Sequence, residues 1–223
     1  MPRPPRLAPA GYCFHVLNRA IARAGIFDEP GDYLSFEAIL REALKLFALE
    51  LLAYCVMPNH WHLVVRPLKD DELSRFMAWL TRTHARRWLA FRELLGTGHV
   101  YQGRFRSIPV ETETHFLLLC RYVERNPVRA RLVARAEDWP YGSLAWRERM
   151  PAGPPWLASQ WPVERPDDWL EIVNEPLTDA ELKEIRESIR KGTPLGSLAW
   201  KRRVSEKLAL GSTMRCGGRP RRR

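Results

Sequence analysis

A chain of 223 residues, 45% of them hydrophobic, has the apolar content of a globular protein and excludes a disordered one. Its most apolar stretch, Leu46 to Met57, is broken by Glu50 and falls short of the ~20 residues of a membrane span, so no membrane partner is expected. The formal net charge of +10 favours a polyanion, foremost nucleic acid, and the charge is gathered in TRTHARRW, QGRFRS and the closing RCGGRPRRR.

The opening MPRPPRLAPAGY is basic and proline-rich with no apolar segment, and so does not read as a secretory signal. GYCFHVLNRA predicts a first strand. In PGDYLSFEAILREALKLF the period changes. Tyr33, Phe36, Leu40, Ala43, Leu44 and Phe47 recur at helical spacing behind Pro30-Gly31. LELLAYCVMPNHWHLVVRP then predicts a long strand or a hairpin, with Pro58-Asn59 as bulge or bend. A second helix is expected from about Asp71 to Phe91, burying Leu73, Phe76, Met77, Leu80 and Trp88 and turning Arg75, Arg82 and Arg86 to another side. GTGHVYQGRFRSIPVE predicts a loop and a strand. THFLLLCRYVERNPVRARLV predicts a helix that either ends at Asn126-Pro127 or restarts there as a short helix capped by Asn126.

This order predicts an α+β or α/β layer with helices covering one face of a sheet. From Trp139 the texture turns rich in proline and tryptophan, TDAELKEIRESIRKG then predicts a short charged helix, and the chain closes on the arginine tail. The expected organisation is a core unit, 1–146, followed by a mostly helical and irregular extension, 147–223. Cys13, Cys55, Cys120 and Cys216 form no CxxC pair, which fits reduced thiols in a cytoplasmic setting.

Two places offer chemistry. His60 and His62 stand two apart in MPNHWHLVV, so on a strand both imidazoles leave one face, with Trp61 on the other. They are either a pair of packed, hydrogen-bonded histidines or two ligands of one metal ion that needs further oxygen or nitrogen donors. In CRYVERNP, Tyr122 and Asn126 are four apart, one turn from each other on a continuous helix. Asn126 is either a helix cap or a hard amide ligand suited to Mg2+ or Mn2+. Tyr122 is either an aromatic at the core edge or a nucleophile. A tyrosine hydroxyl ordinarily titrates near ~10 and attacks only when its proton is taken or its target is polarised. A metal on the scissile phosphate would supply that polarisation.

HVLNRA, AYCVMPNHWHLVV, YQGRFRS and RYVERNPVRARLV, in this order and spacing from about Gly11 to Trp146, together resemble the REP-associated tyrosine transposases. These belong to the single-tyrosine HUH superfamily. GTPLGSLAW and GGRPRRR also resemble the C-terminal region of one branch. The resemblance implies a central antiparallel sheet with helices packed on it, ferredoxin- or RRM-like. It implies Tyr122 as nucleophile and His60, His62 and Asn126 as ligands of Mg2+ or Mn2+. The implied reaction is cleavage and strand transfer of single-stranded DNA at hairpins of repeated palindromes, through a 5′-phosphotyrosine and a free 3′-OH. A monomer is expected over a homodimer, at the nucleoid in the cytoplasm. Arg104 and Arg106 flank Phe105 and either grip phosphates or line a solvated edge. His15 and Arg19 on the first strand either touch DNA or buttress the site. Arg82 and Arg86 line a DNA groove or a plain solvated face. Arg219, Arg221 and Arg222 form a minor-groove arm or a basic tail. The alternatives from other classes are a domesticated protein that holds DNA or RNA hairpins without cutting, and a metal hydrolase that uses activated water.

Overall fold

The computed structural model describes residues 7–112, 115–150 and 153–210; Cys216 and the tail residues Arg219, Arg221 and Arg222 lie outside them. The chain opens with β1 (Cys13–Arg19), crosses through α1 (Pro30–Leu46) and returns as the hairpin β2 (Leu49–Met57) and β3 (His60–Pro67). It crosses again through α2 (Glu72–Phe91) to β4 (Arg106–Val110). The strands form one antiparallel sheet in the order β2-β3-β1-β4, a ferredoxin-like α+β arrangement.

Of the two readings of the histidine segment, the hairpin is the one that forms. Pro58 and Asn59 make its turn, where proline's missing donor costs the ladder nothing. The turn is also a clamp. Pro58 O accepts from the amides of Ile26 (3.0 Å) and Phe27 (3.1 Å), and Asn59 O from that of Ala20 (2.9 Å). The loop that follows β1, with Arg23 in it, is thereby fixed beside His60.

Helices cover both faces of the sheet, which corrects the expectation of one. Phe14, Val16, Tyr54, Val56, Trp61 and Leu63 pack under α1 and α2, with Phe36, Phe76 and Leu80. Cys13, Ala53, Cys55, Met57, Val64 and Ile108 pack on the other side with Phe116, Leu119 and Val123 of α3 (Phe116–Glu124). The reason lies in β2 and β3 themselves. LLAYCVM and WHLVV are near-continuous apolar runs, the pattern of strands buried on both sides, and alternation alone cannot supply such a pattern.

Beyond α3 come α4 (Asn126–Arg129), α5 (Ser143–Arg149), α6 (Trp169–Asn174), α7 (Asp179–Lys191) and α8 (Leu198–Lys207). Trp169, Val173, Leu177, Ile185 and Leu195 belong to the same apolar cluster as α3 and the sheet. Proline at position 127 interrupts the helix without turning the chain aside. Arg125 keeps helical angles and caps α4, in place of the expected Asn126. The bonds Arg125 N→Arg121 O (2.9 Å) and Ala130 N→Asn126 O (2.9 Å) carry the turns across the junction. Cys13, Cys55 and Cys120 are buried free thiols. No helix among the described residues is long and apolar enough to cross a membrane.

Candidate active site

His60 and His62 leave β3 on the face that α3 covers, with ring centroids 4.9 Å apart. Each has one ring nitrogen already engaged. His60 Nδ1 lies 2.6 Å from Asn59 Oδ1, which as a carbonyl oxygen can only accept, so His60 donates there and its Nε2 carries the lone pair. His62 Nδ1 lies 2.9 Å from Nε2 of His15, while His62 Nε2 is buried without a partner. His15 stands opposite Val64 and is the diagonal neighbour of His62, the position from which one strand steadies a side chain on the next.

Burial holds all three rings neutral. It lowers His15 to about 3, and it lowers His60 to about 4 with help from the charges of Arg19 and Arg129. Burial also takes His62 well below the ordinary histidine range, followed by the influence of His60 and His15. Neutral imidazole is the ligating form, and ligating histidines characteristically have the second nitrogen held by a neighbour. A buried, unpartnered Nε2 on His62, with the neutral ring of His60 next to it, therefore suits a divalent cation.

Tyr122 enters from α3. Its ring centroid lies 5.9 Å from that of His62 and 6.4 Å from that of His15, both edge to face. His60, His62 and Tyr122 open on one cavity of about 400 Å³, whose wall also includes Arg19, Arg23 and Arg129. Asn126 sits one turn beyond Tyr122, as the spacing predicted. Its Nδ2 donates to Tyr122 O (3.1 Å), its Oδ1 accepts from Arg129 Nη2, and it is fully buried. The amide is close to the site but its oxygen is taken.

Other residues singled out from the sequence are placed unevenly. Arg19 lines the cavity. His15, read as touching DNA or buttressing the site, is 1% exposed and bonded to His62, the geometry of the second role. Arg106, exposed at the start of β4, donates to the carbonyls of Ile189 and Arg190 at the end of α7. Arg104 is exposed just before β4. Arg82 and Arg86 are exposed on α2, in the layer across the sheet from the cavity, and are not brought to it. Arg23, Asn59 and Arg129 were passed over. Arg129 carries a signal in hindsight, being three residues past Asn126 and seven past Tyr122 on a helical path. Arg23 carries none, because only the clamp on the hairpin turn brings it in.

The family model described as "Transposase IS200 like" matches residues 10–126, a span holding the whole sheet, the histidine pair, Tyr122 and Asn126. The chain belongs to that transposase family. Over 122 residues it is 26% identical to a Haemophilus influenzae protein carrying the provisional name REP-associated tyrosine transposase, a match covering 51% of this chain and 69% of that protein. Its fold is similar to the solved structure of a REP-associated tyrosine transposase bound to a REP hairpin. There the TM-score is 0.54 at 17% identity, over 80% of this chain and 99% of that one. A crystal structure of a provisionally named transposase from Deinococcus radiodurans gives a TM-score of 0.40 at 19% identity, over 59% and 95% of the two chains.

Proposed function

We propose that the protein cleaves and rejoins single-stranded DNA at hairpins of repeated palindromes through a covalent bond between Tyr122 and a 5′-phosphate. One observation carries the reading: Tyr122, His60 and His62 line the same cavity, with the rings of Tyr122 and His62 5.9 Å apart. The REP hairpin bound by the solved relative supports the substrate class.

In this reaction Tyr122 Oη attacks phosphorus in line, the Oη–P bond forms and the P–O3′ bond breaks. The electron pair leaves on the 3′ oxygen, which takes up a proton while the phenol loses one, so a 3′-OH is released with no net change in charge. The new phosphodiester keeps the energy of the old one and the step reverses onto another 3′-OH. His60 and His62 would hold Mg2+ or Mn2+. Among the described residues no cluster of three or more His, Cys, Asp or Glu is able to hold a metal, so its remaining donors would be amide, water or phosphate oxygens. When bound, such a cation neutralises phosphate charge and orients phosphorus. His15 holds the His62 ring. Arg19 and the exposed Arg104 meet the DNA backbone, and the tail arginines Arg219, Arg221 and Arg222 add an electrostatic arm.

We assign the chemistry to 1–146 and part of the DNA grip to 147–223. The histidines and the tyrosine of one chain line one cavity, which supports action as a monomer, and the net charge of +10 supports a place on DNA at the nucleoid.

Incubating the full chain with labelled hairpin DNA and Mn2+ tests this. A covalent protein–DNA band on a denaturing gel is expected, absent in Tyr122→Phe and strongly reduced in His60→Ala and His62→Ala. A band that survives Tyr122→Phe removes the nucleophile. Hairpin binding with no band would favour the non-cutting protein, and two free DNA ends with no band would favour activated water.

A further inference from the structure

We propose that Arg129 is a catalytic residue of the Tyr122 reaction. Its guanidinium leaves the Asn126 carboxamide for the phosphate under attack, and the move frees the amide oxygen for the cation. The inference rests on the reading of Tyr122 as nucleophile and of His60 and His62 as cation ligands. It adds a group that lies within RYVERNPVRARLV and was given no role from the sequence.

Position comes first. Arg129 Cζ lies 5.5 Å from the centroid of the Tyr122 ring, and its side chain forms part of the cavity wall with His60 and His62. A phosphate placed for attack by the Tyr122 hydroxyl must enter that same space. Arginine suits it well, since its planar fork of donors matches phosphate oxygens.

Availability comes second. Arg19 and Arg23 share the cavity wall with Arg129, whereas three further arginines, Arg121, Arg125 and Arg106, are spent on backbone carbonyls. Arg121 donates to the carbonyls of Glu175 (3.1 Å) and Pro176 (3.0 Å), Arg125 to those of Val173 and Asn174, and Arg106 to the end of α7. Arg129 instead has the neutral oxygen of Asn126, and no carboxylate lies within ion-pair distance of it among the described residues. A full positive charge set against an amide is a weak match. A phosphate dianion-like transition state is a stronger one, because the charge that grows on its non-bridging oxygens meets a donor already in place.

Exclusion comes third. Asn126 Oδ1 has a second lone pair, yet a divalent cation drawn to it would stand beside the guanidinium already bonded there. The amide is buried and the guanidinium exposed, and like charges so close repel even near a protein surface. Cation and guanidinium therefore compete for the amide until a phosphate enters and takes the guanidinium.

Two readouts of opposite sign follow from one substitution. In the full chain without DNA, Arg129→Gln is expected to bind Mn2+ about tenfold tighter by electron paramagnetic resonance titration, within the usual span of site-to-site coupling. With hairpin DNA and saturating Mn2+, the same variant is expected to form the covalent band ~10²–10³-fold more slowly, as after loss of one transition-state donor. Arg129→Lys restores the charge and is expected to recover at least about tenfold of that rate. Unchanged or weaker Mn2+ binding in Arg129→Gln, a rate within about threefold of wild type, or no recovery with lysine overturns the proposal. His60→Ala and Tyr122→Phe, run alongside, separate the two claims. Retained Mn2+ binding in the first or a surviving band in the second sinks the underlying reading, whatever Arg129 does.

Discussion

Trp61, the residue between the two histidines, is bonded on the side of the sheet away from the cavity. Its indole N–H donates to Tyr101 Oη (3.0 Å), whose hydroxyl donates in turn to His84 Nδ1 (2.7 Å) on α2. A buried chain of this kind fixes the roll of β3, and with it the direction in which His60 and His62 point. It also ties stability to pH. Burial lowers His84 to about 3, alongside His15 at about 3 and His60 at about 4. Their unfolded values lie near ~6.5, so between pH ~6.5 and ~4 the unfolded chain binds more protons than the folded one. Stability is therefore full above that window and falls as pH drops through it, by up to about 1.4 kcal/mol per pH unit for each group. Buried Glu37 and Glu124, whose carboxyls are raised by desolvation, act in the opposite sense. Urea unfolding at pH 7 and pH 5 is expected to show this loss, and to show less of it in His84→Gln, whose amide oxygen can still accept from Tyr101. Equal losses in the two proteins would contradict the assignment. At this scale the histidine pair and Tyr122 were legible, since each belongs to a short local pattern with its own period. For His15 the sequence left two roles open, since the choice depends on strand register, and Arg129 was not legible, because it depends on which side chain answers Asn126 in space.

The helix carrying Tyr122 is held from behind by α5 and α6. Glu124, buried on α3, accepts from Ser143 Oγ (2.5 Å) on α5 and from Trp169 Nε1 (2.8 Å) on α6. Arg121 and Arg125 satisfy carbonyls at the C-terminal end of α6 that have no partner within the helix. Three residues flanking Tyr122 are thus given to α6. Trp169→Phe keeps most of the ring but strips Glu124 of a donor in a buried place, an expected cost of about 1–3 kcal/mol. It is read as a lower urea midpoint with unchanged slope, and a midpoint equal to wild type would deny the tether. The strands and first two helices were readable from periodicity. The packing of α6 and α7 against α3 was not, because their apolar residues are few, spaced among charges and prolines, and find partners only across more than forty residues of chain.

On the scale of the whole molecule, a two-sided sheet puts the structural layer of α1 and α2 on one face and the cavity on the other. The net charge of +10 does not spread evenly over these functions. Arg19, Arg23 and Arg129 face the cavity, Arg106, Arg121 and Arg125 bind backbone carbonyls, and Arg82 and Arg86 look out from the far layer. The total charge was legible from composition and this partition was not, because each arginine's partner is set by the tertiary fold. The central claim is that Tyr122 becomes bonded to DNA. Arg121 and Arg125 flank it, so trypsin releases the short peptide Tyr122–Arg125 from the nuclease-treated adduct. Mass spectrometry is predicted to find a nucleotide remnant on that peptide, carried by the tyrosine. A remnant on any other peptide, or DNA cut to two free ends with this peptide unmodified, would contradict the account.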